Sequence, residues 1–316
     1  MDFPVFWPNW ARTSQTGGVA VTGWWFYKKP PGASNPQDRF PGFYRMNLID
    51  THAHIDMPRF GDRAERRFAA VRAATAGISA IVIPGVEPES WATLLEAAED
   101  LREFAPSVRF HTALGIHPQV LPELDPAHDS AVLTALNDQI RATPAGLVAI
   151  GECGLDFGPG GGGVPRERQV AVLRAHFALA RATGLPLLLH CLKAHAALLE
   201  LLDEQPLPPS ILHSYSGSAE MVPAFCRGGH ALSFAGAITL PNARKPVLAA
   251  RAVAADRLLL ETDSPDQTPA SRRPARNEPA FLGDIARAVA AARDEPLELV
   301  AATTTDNARR VLRLAA

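Results

Sequence analysis

The chain has 316 residues, 47% of them apolar, and a formal net charge of −2 from 31 basic and 33 acidic side chains. That length admits one large domain or two small ones with a substantial core. The balanced charge excludes a broad basic surface, so any polyanion would have to be gripped locally. Three cysteines (Cys153, Cys191, Cys226) make no disulfide framework, which suits a reducing compartment. No run of about eighteen apolar residues suggests a membrane span, and no stretch reads as a secretory leader. The expected location is the cytoplasm.

Residues 1–45 are rich in Trp, Pro, Gly and Asn without a sustained period, and read as an irregular extension. Met46 directly precedes the first patterned segment and is a natural point for translation to begin. Over 46–316, short apolar runs alternate with helix-period stretches, as in βα units around a parallel sheet. The strands are expected to end near His52, Pro84, Gly115, Glu152, His190, His213, Ala235 and Glu261. Helical patterns cover 65–77, 89–104, 131–142, 167–184, 194–204, 218–229 and 247–255, and a final pair covers 278–294 and 297–315. This pattern predicts a single (β/α)8 TIM-type barrel, a fold of about 250 residues. A doubly wound open sheet competes with it, but would spread the ligand-bearing strand ends too far apart.

Those ends carry the chemistry. LIDTHAH delivers His52 and His54, LVAIGE delivers Glu152, PLLLH delivers His190, SILH delivers His213 and RLLLETD delivers Asp263. In a parallel barrel the carboxyl ends of the strands surround the active site. Four imidazoles and two carboxylates meeting there would hold two divalent ions. Buried imidazoles need polar partners, so this set is a costly way to fill a core. Glu152 has one oxygen for each of two cations, and Asp263 suits both ligation and general-base chemistry. Asp50, two residues before His52, is expected to orient an imidazole, Asp156 to cap a turn, and Glu261 to belong to the interior. Alternation turns Cys153 and Cys191 toward the helices as packing residues. His117, in LGIHP, is expected at the substrate. The glycine run 158–163 lacks a P-loop ending and reads as a βα loop. A donor set rich in histidine suits Zn²⁺ or Mn²⁺ better than Mg²⁺.

Taken in order, DTHAH, GIHP, GECGLDF, LLLH, LHSYSG and ETDSP resemble the motif series of the TatD-related DNases, over about residues 46–315. Gln169 and Asn277-Glu278-Pro279 agree with it. The resemblance implies a two-cation hydrolase, with Zn²⁺, Mn²⁺ or Mg²⁺ as the ions. His52, His54, Glu152 and Asp263 would hold one ion, and Glu152, His190 and His213 the other. It implies a 3′→5′ exonuclease on single-stranded DNA, with Glu152 and Asp263 catalytic and no obligatory protein partner or membrane. Two departures bear on the substrate. Leu192 stands where many relatives have arginine, followed by Lys193, and lysine lacks the bidentate geometry of arginine. The loop after Asp263 adds Arg272, Arg273 and Arg276 as candidate phosphate contacts. These departures keep open a carboxylic ester or amide hydrolase, such as a D-aminoacyl-tRNA deacylase.

Overall fold

The structure, a computed structural model, describes residues 47–315. The extension expected over 1–45 lies outside the described residues. Among these residues, eight strands run parallel in chain order: β1 (Leu48–Asp50), β2 (Ile78–Pro84), β3 (Arg109–Leu114), β4 (Leu147–Asp156), β5 (Leu187–Leu192), β6 (Ile211–Leu212), β7 (Ala231–Phe234) and β8 (Leu258–Leu260). The seam between β8 and β1 is joined by Thr51 N to Leu260 O (3.3 Å), Asp263 N to His52 O (2.9 Å) and His54 N to Ser264 O (2.7 Å). The alternation of strand and helix thus gives the barrel it predicts.

The helices are α1 (Arg63–Thr75), α2 (Trp91–Phe104), α3 (Asp129–Arg141), α4 (Arg166–Thr183), α5 (His195–Asp203), α6 (Val222–Arg227), α7 (Arg244–Ala252), α8 (Leu282–Arg293) and α9 (Leu297–Leu312). Local chemistry sets their ends. Asp62 caps α1 by accepting from Glu65 N, and Gly184 ends α4 in the left-handed region, where glycine meets no Cβ penalty. The sequence pattern places the seventh helix at 247–255, but it begins at Arg244 and stops at Ala252. Pro246 lies in its first turn, where a backbone N–H has no helical partner to lose.

Side chains sort into two layers. Ile49, Ala80, Val82, Ala113, Ala149, Leu188, Ile211, Ala231 and Leu259 fill the barrel interior with Ala308, Val311 and Leu312 of α9. Their neighbours on the strands, among them Ile81, Leu114, Leu189 and Phe234, pack outward against Leu94, Leu136, Phe177 and Ile285 of the helices. Cys153 and Cys191 fall in this outer layer. Helix α9 crosses the floor of the barrel at the strands' starting ends. Thr305 donates to Asn47 O (2.5 Å), Asn307 to Leu258 O (2.9 Å), and Arg109 reaches Ala315 O (2.8 Å). Among the described residues, no helix is long and apolar enough to cross a membrane.

Candidate metal centre

Glu152 stands where the β4–β5 register slips, between Ile150 and Cys153. Gly151 and Gly154 flank it, both at φ 149°. A Cβ on Gly154 would lie 2.0 Å from His190 O, and one on Gly151 would lie 2.6 Å from Leu188 O. Only glycine lets β4 press this closely on β5, so the GECG motif builds the ledge that presents the carboxylate. His52 and His54 follow β1, and the seam bonds to Asp263 and Ser264 carry them to the mouth of the barrel.

There the side chains converge on Glu152. Its Oε2 lies 3.2 Å from His52 Nε2 and 3.5 Å from His54 Nε2. Its Oε1 lies 2.7 Å from His213 Nε2, 2.9 Å from His117 Nε2 and 3.2 Å from His190 Nδ1. Asp263 Oδ1 stands 3.8 Å from both His52 and His54 Nε2. The rings of His52 and His213 stack with centroids 4.1 Å apart, which joins the two halves. His52, His54, Glu152, His190, His213 and Asp263, taken from five strand ends, are therefore brought to one place.

The donor set fits divalent cations. His52 Nε2 and His54 Nε2 face each other at 3.1 Å, and His190 Nδ1 and His213 Nε2 at 3.2 Å. Imidazole nitrogens in such pairs, sharing a carboxylate oxygen, are the donors a cation collects. Among the described residues, three overlapping triads have ligand atoms within 4.8 Å of one another: His52–His54–Asp263, His52–Glu152–His213 and His117–Glu152–His190. The buried Nδ1 atoms of His52 and His54 have no hydrogen-bond partner among the described residues.

Electrostatics follow from this crowding. Burial alone would raise Glu152, but the imidazoles of His117, His213 and His52 overcome it and hold the carboxyl well below its usual range. Burial works against charge on His213 and His54, yet Glu152 outweighs it and raises both. His190 is raised in the same way by Asp156 and Glu152. Burial lowers His52 and brings His117 down to about 4. Asp263 is raised by burial despite His213, His52 and His54.

One expectation needs correction. Asp50 does not orient an imidazole: its carboxylate accepts from Thr262 N (2.9 Å), Thr262 Oγ1 (2.6 Å) and His52 N (3.3 Å). The strand ends at Asp50, so regular alternation does not carry through to His52. His117 is buried beside the centre, 2.9 Å from Glu152. Its Nδ1 accepts from Gln119 N (3.1 Å), so the neutral ring carries its proton on Nε2 and donates it to Glu152. Arg276 is held by Glu65 (2.8 Å) and lies over the Phe60 ring, and Arg272 pairs with Asp284 (2.6 Å) over Phe281. Arg273, which donates to Thr268 O (3.2 Å), and Lys193 are exposed.

Other neighbours complete the shell. Asp156 caps its turn by accepting from Gly158 N (2.7 Å), and also lies 3.6 Å from His190 Nε2. Glu261 lies 3.5 Å from His213 Nδ1. Gln267, which carried no signal in the sequence, donates to Asp263 Oδ2 (2.6 Å). Buried Asp56 is also new to the site. Its Oδ1 has no partner, and burial raises its carboxyl against the pull of His54. Its place two residues past the H-x-H pair was the available signal.

Comparison with known proteins gives a consistent result. A family model described as TatD related DNase matches residues 49–313. The "Uncharacterized metal-dependent hydrolase YjjV" of Escherichia coli is 33% identical over 264 residues, 82% of this chain and 95% of its own. A Pectobacterium atrosepticum protein named 3′-5′ ssDNA/RNA exonuclease TatD is 34% identical over 279 residues, 85% of this chain and 100% of its own. The crystal structure of E. coli YjjV superposes with a TM-score of 0.77 at 30% identity, covering 86% of this chain and 100% of that one.

Proposed function

The chain belongs to the TatD related DNase family and is a metal-dependent hydrolase, and we propose that it removes nucleotides from the 3′ ends of single-stranded DNA. The observation that carries this reading is the division of Glu152. One oxygen faces His52 and His54, and the other faces His190 and His213. With such an arrangement His52, His54 and Asp263 would hold one cation, His190 and His213 a second, and Glu152 would serve both. The histidine-rich donors favour Zn²⁺ or Mn²⁺. Bound there, divalent cations would supply Lewis acidity, making water a nucleophile near neutral pH and polarising the phosphoryl group.

The chain's own groups do the rest. Asp263, at the mouth with one oxygen toward His52 and His54, takes the proton of the attacking water. His117 donates to Glu152 and keeps its carboxylate in one orientation. Lys193 and Arg273, both exposed, would meet the phosphate backbone, and local positive charge there would offset charge building on phosphoryl oxygens. The name carried by the Pectobacterium relative supports nucleic acid as substrate over a carboxylic ester or amide. The unpaired thiols of Cys153, Cys191 and Cys226 support a cytoplasmic setting.

The test uses the full chain, dialysed against chelator and resupplied with Mg²⁺, Mn²⁺ or Zn²⁺. Single-stranded DNA labelled at its 5′ end should shorten in a ladder only when metal is restored. Asp263→Asn should lower turnover by about 10²–10⁴-fold, as loss of a general base does. Release of amino acid from aminoacyl-tRNA with intact DNA would replace this reading with the deacylase one. Metal-independent shortening would remove the cations from the reaction.

A further inference from the structure

Asp263 has two carboxylate oxygens but only one turned to the histidines, and the structure provides a reason. Gln267 Nε2 donates to Asp263 Oδ2 (2.6 Å) and to Ser214 Oγ (2.5 Å). A primary amide has two hydrogens on that nitrogen, so both bonds form together. With Oδ2 held, Oδ1 is left facing His52 and His54. We propose that Gln267 is a positioning residue: its amide sets the orientation of Asp263 and so controls cation affinity and turnover. The proposal rests on the reading of Asp263 given above.

The backbone is arranged for this contact. Gln267 (φ 51°), Asp263 (φ 54°) and Ser214 (φ 43°) all lie in the left-handed region, which non-glycine residues occupy only when their surroundings over-determine it. Those surroundings are visible. Asp266, beside Gln267, has its carboxylate gripped by both terminal nitrogens of Arg59 (2.7 and 2.5 Å). Its amide donates to Asp263 O (3.0 Å), and its carbonyl accepts from Asn277 Nδ2 (2.6 Å). At the end of β7, Gly236 leaves space for the Gln267 carbonyl, which a Cβ there would meet at 1.7 Å. Gln267 is only partly buried, so water was available to its amide, yet the amide turns inward. Ser214 follows His213 directly, so this one side chain ties the aspartate group to the strand end carrying the other.

The decisive variant is Gln267→Met, which keeps length and removes the donor. Mn²⁺ binding to the metal-free protein is followed by calorimetry, with thermal unfolding and steady-state kinetics on single-stranded DNA alongside. Mn²⁺ affinity at one site is expected to fall about 10–100-fold, the usual effect of losing a group that orients a ligand. The fall in kcat should be similar with KM unchanged, and the metal-free Tm should hold while its rise with Mn²⁺ shrinks. In an Asp263→Asn background the substitution should cost no further Mn²⁺ affinity, because the two act as one unit. Wild-type affinity and kcat in Gln267→Met would overturn the proposal, as would an equal loss in both backgrounds. Unchanged Mn²⁺ affinity and kcat in Asp263→Asn would overturn the reading of Asp263 and this proposal with it. An impaired Asp263→Asn beside an unimpaired Gln267→Met would overturn this proposal alone. Gln267→Asn, one methylene too short to make both bonds, carries the same test should the methionine variant not fold.

Discussion

At Glu152, one oxygen serves His52 and His54 while the other serves His117, His190 and His213. Glu152→Gln keeps the shape and removes the charge that holds the His213 proton in place. Removing one member of a buried charged pair costs about 3–5 kcal/mol, so urea unfolding of the metal-free variant at pH 6 should show a loss of that order. Mn²⁺ should no longer protect it. An unfolding midpoint equal to wild type would mean that the carboxylate is not the hub. The six residues meeting here were legible because each ends an apolar run, and a barrel brings strand ends together whatever their separation in sequence. Gln267 was not, since PDQTPAS has only the composition of a loop, and although Asp263 is four residues away its other partner, Ser214, lies 53 residues back in sequence. The role of Asp50 does not follow from alternation, because a three-residue strand is too short for it to persist.

Element by element, β4 is the most demanding part of the scaffold. Gly154→Ala would drive a Cβ to 2.0 Å from His190 O at a φ of 149°. Overpacking together with an unfavourable φ should cost about 2–4 kcal/mol and displace His190. Gly163→Ala is the control, since its Cβ would meet nothing within 4 Å although its φ is 76°. It should cost only about 1 kcal/mol. Chemical denaturation of the two variants side by side checks the difference, and equal losses would contradict the close-approach argument. Strand and helix order was readable from periodicity because apolar faces must be buried. The start of α7 was not, because Pro246 reads as a boundary from sequence and is tolerated within a first turn.

For the molecule as a whole, the centre couples stability to protons. His54, His190 and His213 are raised above 6.5 in the folded state. The stability they contribute is full below pH 6.5 and is lost as pH rises through their folded values. His52 and His117 are lowered, so above 6.5 they are neutral in both states and add no slope. Asp50, pushed up to about 7 by burial, acts in the same direction as the raised histidines up to that pH. The metal-free protein should therefore lose stability from pH 6.5 upward in urea titrations with chelator present. Divalent ions should displace the same protons, so calorimetry at pH 7 in buffers of different ionisation enthalpy should register proton release. A stability that rose over this interval, or binding without proton release, would contradict the charge states described here.

The barrel axis, finally, leads nowhere. Val311 and Leu312 close its lower end from α9, so a polynucleotide cannot be threaded through and paid out behind. On the proposed reading, a strand would advance only as far as its own tip, and each cut piece would back out past the incoming chain. Fragment and fresh substrate would queue at a single doorway.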